Sequence, residues 1–366
     1  MTFENPKLLI DGALVDAEGG ATFASINPAT EEVVGQAPDA TVADTERAIA
    51  AARRAFDGTD WSTNRELRVR VLRQFGEQLR KHQEELRDLT IAEAGIPRSM
   101  TSGPGLDAPL GLIDFYADLL DTYEFNEDLG LVEAYGGMHR RWVEKEAYGV
   151  VAAITAYNQP NQLNLAKLAP ALAAGCTIVL KGAPDTPLVT AALGRLLADT
   201  DLPAGVVNIL TSSRVEPGQL LTTDPRVDMI TFTGSTPVGK AIMASASDTL
   251  KKTFLELGGK SAMLVLDAES VPLGAMFCSF AVTSHAGQGC AVTSRLVVPR
   301  AQLDEAVQAV VGTMQGLKVG DPNEPDTYVG PLINRRQLDK VQAIVDRAVA
   351  DGATVATGGK AVDTEQ

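Results

Sequence analysis

Residues 149–181 read GVVAAITAYNQPNQLNLAKLAPALAAGCTIVLK. The stretch GVVAAITAY (149–157) is an unbroken apolar run, LNLAKLAPALAA (163–174) has helical character, and TIVLKG (177–182) is apolar again. A strand covered on both faces shows no polar alternation, so run, helix and run together predict a β-α-β unit with parallel strands. The pattern repeats toward the C-terminus. LVTAALGRLLAD (188–199) reads as a helix, VVNILT (206–211) and MITFTGS (229–235) as strands, and VGKAIMASAS (238–247) as a helix. The expected fold is α/β with a Rossmann-type parallel sheet, whose ligands bind at the carboxyl ends of the strands.

Outward from this unit the pattern changes. LELGG (255–259) reads as a linker into a second α/β unit. That unit comprises SAMLVLD (261–267), a helix around 271–286, a loop at Cys290, the strand SRLVVP (294–299), helices over 301–317 and 335–353, and a strand in TVATGGKAVDTEQ (354–366). On the N-terminal side, two short runs flank Gly136-Gly137 within 131–146, which is hairpin turn chemistry. Residues 41–56 read as an amphipathic helix. Helical character continues over 63–93, closed by Gly95 and Pro97.

At 366 residues with 45% hydrophobic content, the chain has material for two or three domains and a large core. A formal net charge of −15 repels phosphate backbones, so nucleic acid is not an expected partner. The three cysteines, Cys176, Cys278 and Cys290, are too sparse for a disulfide framework and fit a reducing compartment. The opening MTFENPKLLIDGALVD carries acids and no long apolar run, so it is not a signal peptide. No run of about 20 apolar residues is present to span a membrane. A cytoplasmic protein is expected. Three histidines, His82, His139 and His285, have no metal-ligand spacing, and no metal site is expected.

Several motifs bear on chemistry. Gly103, Gly105 and Ala108 match G-x-G-x-x-A, but they follow a Thr-Ser loop instead of a strand and read as a flexible loop. Gly234–Ala241 approaches a nucleotide triphosphatase loop, yet Ala241 offers no hydroxyl to magnesium. What remains is a strand, Gly234-Ser235 and a helix start, whose free N–H groups suit a pyrophosphate. Cys290 lies in HAGQGCAVTSR (285–295) among small residues, which leaves a thiol accessible as a nucleophile; an inert buried thiol is the alternative. Cys176 and Cys278 sit in apolar runs and read as core. Glu256 interrupts the apolar run TFLELGG, as a solvated strand-end acid or as a base beside a cleft. Asn158 ends one strand and Lys181 another, where an amide donor and an ammonium reach a bound ligand.

Taken together, AYNQPNQLNLAKLAPALAAGCTIVLK, LPAGVVNIL, ITFTGSTPVGK, LELGGKS, GQGC, LKVGDP and VGPLIN resemble, in order and spacing, the aldehyde dehydrogenase superfamily over essentially the whole chain. The resemblance implies that Cys290 is the nucleophile, Glu256 the base that activates water, and Asn158 the amide that holds the oxyanion with the Cys290 N–H. It implies that Lys181 binds adenosine ribose hydroxyls and that Gly234 and Ser235 form the pyrophosphate turn. Ile154, Thr155, Tyr157, Val238, Leu257 and Gly258 complete the implied dinucleotide site. The cofactor it implies is NAD, with NADP left open. The implied chemistry is thiolate attack on an aldehyde, hydride loss to the nicotinamide, and hydrolysis of the resulting thioester. The implied organisation is a cofactor domain from 1–128 and 147–255, an oligomerisation hairpin at 129–146 and a catalytic domain at 256–366. A homodimer or homotetramer follows from the hairpin.

The chain departs from the family pattern in three places. Pro184 stands where a carboxylate often selects NAD, which weakens that selection. Gln159 replaces a common Phe, and Gln162 and Ala166 follow where bulky apolar residues often line the substrate tunnel; a wider or more polar tunnel is expected. The pattern also continues, in the family, into a Glu-Glu-x-Phe-Gly-Pro motif and a further strand that this sequence does not contain. The catalytic domain is therefore expected to be incomplete, and a catalytically impaired cofactor-binding fragment is the alternative reading. CoA-acylating relatives lack the base, so Glu256 argues against that activity.

Overall fold

The structure is a computed structural model that describes residues 5–362. The first four and last four residues of the expected domain ranges lie outside the described residues. Two short strands open the chain, β1 (Leu8–Ile10) and β2 (Ala13–Val15), followed by the antiparallel pair β3 (Thr22–Ile26) and β4 (Val33–Pro38). Helix α1 (Val42–Gly58) starts on a capping box, in which Thr41 accepts from the Asp44 amide and the Asp44 side chain accepts from the Thr41 amide. The stretch read as continuous over 63–93 is two helices, α2 (Arg65–Lys81) and α3 (Gln83–Ala94). They break at His82, whose amide turns back to the Gln78 and Arg80 carbonyls. Gly95, at φ 66°, closes α3, and a Cβ there would meet Pro331 and Pro28 within 3 Å. Helices α4 (Arg98–Thr101) and α5 (Asp107–Thr122) follow. Gly103 and Gly105 lie in the turn between them, not at a strand end.

The expected hairpin is present. Strands β5 (Asn126–Ala134) and β6 (Gly137–Glu144) pair antiparallel around a turn at Tyr135 (φ 50°) and Gly136 (φ 79°). The ribbon stands away from the core, with Leu131 and Trp142 67% and 60% exposed.

The decisive unit then forms as read: β7 (Val150–Ile154), α6 (Pro160–Ala174), β8 (Thr177–Lys181), α7 (Pro187–Ala198), β9 (Val207–Leu210), α8 (Glu216–Thr223), β10 (Met229–Gly234), α9 (Thr236–Ala246) and β11 (Lys252–Leu257). Pro160 starts α6 and Gly175, at φ 87°, stops it. The sheet order is β11-β10-β7-β8-β9-β1-β2, parallel from β11 to β9 and antiparallel at β1 and β2. Successive residues of β7 face opposite sides. Val151 and Ala153 join a core with Trp61, Leu72 and Phe75, whereas Val150 and Ala152 join one with Leu8 and Ile49. Helices on both faces thus explain the absence of polar alternation in these strands.

LELGG is not a linker: Glu256 and Leu257 are the last residues of β11, at the sheet edge. Beyond it, β12 (Ser261–Leu264) and β13 (Thr293–Val297) form a separate parallel pair. Helices α10 (Val271–Thr283) and α11 (Leu303–Gln315) pack near it, and α12 (Arg335–Ala350) follows. The strand expected in 354–366 does not form over 354–362; the rest of it lies outside the described residues.

Candidate active site

Chain order and sheet order determine where a ligand fits. From β7 the chain moves through β8 to β9, then returns to the other side of β7 as β10 and β11. The direction of winding therefore reverses between β7 and β10, and a crevice opens outside their carboxyl ends. Ile154, at the end of β7, pairs with Lys181 on one side and Phe232 on the other, and Gly234 on β10 pairs with Leu257 on β11. Ile154, Thr155, Tyr157, Asn158, Lys181, Gly234, Ser235, Glu256 and Leu257 thus all stand at one edge of one sheet.

Gly234 and Ser235 join the end of β10 to the start of α9. Ser235 is the N-cap of α9 and makes no side-chain capping bond, so amides of the first turn are free to face an anion. A Cβ on Gly234 would lie 2.4 Å from Phe232 Cζ, so a larger residue there would displace the Phe232 ring. Gly239 lets α9 lie against β11: a Cβ there would reach Leu257 Cδ2 at 2.8 Å. Val238 and Gly258 are exposed on this edge. Thr233 Oγ1 and Gln159 Oε1, at the end of β10 and just before α6 respectively, are buried without a hydrogen-bond partner.

Lys181 is buried, and its Nζ donates to the carbonyls of Ser212 (3.2 Å) and Gly182 (3.4 Å). Burial pushes its ammonium down to about 8, with the charge of Asp39 opposing. Thr155 donates from its hydroxyl to Asn164 Oδ1 at 2.9 Å and so faces α6 as much as the crevice. Tyr157 is half-buried; burial raises its phenol, Asp185 adds to the shift and Arg336 opposes it.

Of the three cysteines, Cys176 and Cys278 are buried and Cys290 is exposed. Its loop is held on two sides. Asn158 Nδ2 donates to the Gln288 carbonyl at 2.7 Å, and the turn after β11 touches the loop where a Cβ on Gly259 would lie 3.9 Å from the Cys290 carbonyl oxygen. Asn158 and the Glu256 strand thus both meet the cysteine loop. Glu256 is exposed at the end of β11. Lys167 on α6 feels its charge: burial takes the lysine down to about 8 while Glu256 opposes, and Lys167 Nζ donates to Thr231 Oγ1 at 2.9 Å.

Sequence reasoning missed what supports this loop. Gln288 Nε2 donates to the carbonyls of His285 (3.2 Å) and Pro331 (3.3 Å), and its Oε1 accepts from the Ile333 amide at 3.0 Å. These bonds tie GQGC to VGPLIN; the co-occurrence of the two motifs was the available signal. His285, Ala286 and Gly287 are all left-handed, at φ 48°, 54° and 75°. Two non-glycine residues there store strain immediately before the cysteine loop. His285 is buried, and burial pushes its imidazole down to about 4 against the opposing effect of the Asn158 backbone. It is therefore a neutral ring.

The model of the Aldehyde dehydrogenase family matches residues 14–366. The chain belongs to the aldehyde dehydrogenase family. It is an NAD(P)-dependent oxidoreductase of aldehydes. It is similar to a 3,6-anhydro-alpha-L-galactose dehydrogenase of Vibrio sp. (strain EJY3), 34% identical over 97% of this chain and 72% of that protein. It is also similar to a 3-succinoylsemialdehyde-pyridine dehydrogenase of Pseudomonas sp., 36% identical over 96% of this chain and 72% of that protein. Among solved structures, an NAD+ complex of aldehyde dehydrogenase from Bacillus cereus superposes with a TM-score of 0.93 at 31% identity, over 99% of this chain and 73% of that one. Aldehyde Dehydrogenase C of Pseudomonas syringae, with NAD+ and octanal, superposes with a TM-score of 0.89 at 33% identity, over 98% of this chain and 72% of that one. Among the described residues, no helix of the enzyme is long and apolar enough to cross a membrane.

Proposed function

We propose that the enzyme oxidises an aldehyde through a covalent intermediate on Cys290, with Asn158 and Glu256 as its catalytic partners. The observation that carries this reading is the meeting of three elements at one loop. The exposed thiol lies two residues beyond the carbonyl that Asn158 grips and against the turn that follows Glu256. Cys290 attacks the aldehyde carbon, and the Asn158 amide and the Cys290 N–H receive the negative oxygen. Bound NAD+ supplies a hydride acceptor. Collapse of the tetrahedral adduct with loss of hydride leaves a thioester on Cys290. Glu256 takes a proton from water, the resulting hydroxide displaces the thiolate, and the acid departs. Asn158 keeps a second N–H for the oxygen while its first holds the loop.

For the cofactor, NAD fits the site from three sides: Ser235 and the free amides of α9 for the pyrophosphate, Lys181 for adenosine ribose hydroxyls, and Ile154, Thr155, Tyr157, Val238, Leu257 and Gly258 along the path. We assign the cofactor domain to 1–125 and 145–257, which moves its end to the last residue of β11, the hairpin to 126–144 and the catalytic domain to 258–366. The exposed apolar hairpin supports a homodimer or homotetramer, since such ribbons are marginal alone. The composition and sparse cysteines support a cytoplasmic location. Cys290→Ala tests the reading. Turnover falls to background while NAD+ binding, followed by calorimetry, is retained; a variant that still turns over at the parent rate refutes it.

A further inference from the structure

The amino ends of β7 and β8, at the opposite edge of the sheet from the crevice, carry charge that no acid neutralises. A cavity of about 880 Å³ opens there at the foot of the hairpin, between α2, residues 122–126 and residues 144–147. Arg68, on its wall, is 2% exposed. Its Nη1 donates to the Ser62 carbonyl at 2.8 Å, and Gly175 makes room for it, since a Cβ there would lie 2.3 Å from that nitrogen. Its Nε is buried without a partner, and the guanidinium makes no ion pair among the described residues. An arginine is seldom buried so deeply without a carboxylate. Burial first, and the charge of Arg65 second, pull the Arg68 guanidinium down from its ordinary value, and the group that opposes them is the Cys176 thiol, not an acid.

Arg65, one turn earlier and half-buried, repeats the pattern. Its Nη2 donates to the Tyr123 carbonyl at 2.9 Å, its Nε is buried without a partner, and it too makes no ion pair among the described residues. Both guanidiniums lie over the Phe125 ring, 5.8 Å from its centre for Arg65 and 5.3 Å for Arg68. Lys145 adds a third cation, with its Nζ donating to the Glu124 carbonyl at 3.1 Å and lying 4.9 Å from the centre of the Tyr123 ring. Phe56, Tyr123 and Phe125 supply carbon surface to the wall. The acids that line the cavity, Glu124, Glu144 and Glu146, are exposed, and among the described residues none pairs with these cations.

We infer that this cavity binds a small aromatic monocarboxylate, with Arg65 as its direct contact and Arg68 as the buried charge behind it. A guanidinium fork matches a carboxylate, the three rings match an aromatic body, and the volume suits a small organic molecule. The three exposed acids and a net charge of −15 act against a phosphate dianion. The site lies outside the crevice and does not depend on the role of Cys290.

Benzoate, benzamide and inorganic phosphate are the probes, followed by calorimetry and by thermal melts. The parent enzyme binds benzoate and melts at a higher temperature with it. Benzamide, the neutral isostere, and phosphate bind at least roughly tenfold more weakly. Arg65→Gln weakens benzoate binding by roughly tenfold. Arg68→Met abolishes the benzoate-dependent rise in melting temperature, whatever it does to the melting temperature without benzoate. A merely structural arginine would leave that rise in place, and benzoate bound in the crevice would be indifferent to both variants. No benzoate binding by the parent, equal binding of benzamide, tighter binding of phosphate, or an unmoved benzoate affinity in either folded variant overturns the inference. If one variant does not fold, the other carries the test, and the comparison of probes on the parent needs neither.

Discussion

Asn158 Nδ2 donates to the carbonyl oxygen of Gln288 at 2.7 Å, joining the carboxyl end of the first parallel strand to the loop that carries Cys290. The bond bridges 130 positions of sequence. On the proposed mechanism it makes the oxyanion amide part of the scaffold of the nucleophile loop, so the geometry of attack depends on how that loop is supported.

Gln288 is the test of that support. Its side chain makes three bonds, to His285, Pro331 and Ile333, while its carbonyl receives Asn158. Gln288→Ala leaves those backbone groups partly unsatisfied. It is expected to cost about 1–3 kcal/mol in urea unfolding and roughly 10–100-fold in kcat/KM, because misplacing a reacting atom by about 1 Å is expensive. Unchanged turnover would show that the loop is held by other means.

A buried acid gives a pH signature. Glu93 is fully buried and accepts from Ser25 Oγ and from the Leu188 and Val189 amides at the start of α7. Burial pushes its carboxyl up to about 7, against the lowering effect of these donors. With the folded value above the unfolded one, the native state binds the proton more tightly. Its stabilising contribution is complete below the unfolded value near ~4.3, declines as pH rises, and is gone above about 7. The loss is on the order of 3 kcal/mol. Denaturant unfolding at pH 5 and pH 8, comparing the parent with Glu93→Gln, isolates it. A parent and variant with the same pH slope would contradict the assignment.

Gln159 bears on the substrate. Its Oε1 is buried without a partner next to Asn158, where a relative with Phe would present only carbon. The enzyme is expected to prefer short, hydroxylated aldehydes, whose donors satisfy that oxygen, over long alkyl aldehydes. Gln159→Phe should shift the kcat/KM ratio toward the alkyl substrate by roughly tenfold. A parent enzyme already faster on long alkyl aldehydes disposes of this idea.

How much was visible in the sequence differs by element. The strands from β7 to β10 were legible because burial on both faces leaves an unbroken apolar run. Cys290 was separable from Cys176 and Cys278 because it follows Gly287-Gln288-Gly289 in a small, polar turn while the others sit in apolar runs. LELGG misled: β11 is an edge strand with exposed alternate positions, so its acid and two glycines looked like a break in the chain. The division of α2 from α3 rests on one turn at His82 with no proline or glycine to mark it. Asp39 and Glu93 were invisible because their partners lie tens to hundreds of residues away, and a polar residue carries no local mark of a distant donor; for Gln288 the one signal was the co-occurrence of GQGC and VGPLIN.

The most direct test of the central claim traps the intermediate. Glu256→Gln enzyme is mixed with excess NAD+ and excess aldehyde, NADH is followed in time, and the reaction is quenched and analysed by intact mass and peptide mapping. The account predicts one equivalent of NADH in a single burst, steady turnover reduced by roughly 10²–10⁴, and an acyl adduct on the peptide bearing Cys290. Sustained turnover by this variant, or an adduct on any other residue, would contradict it.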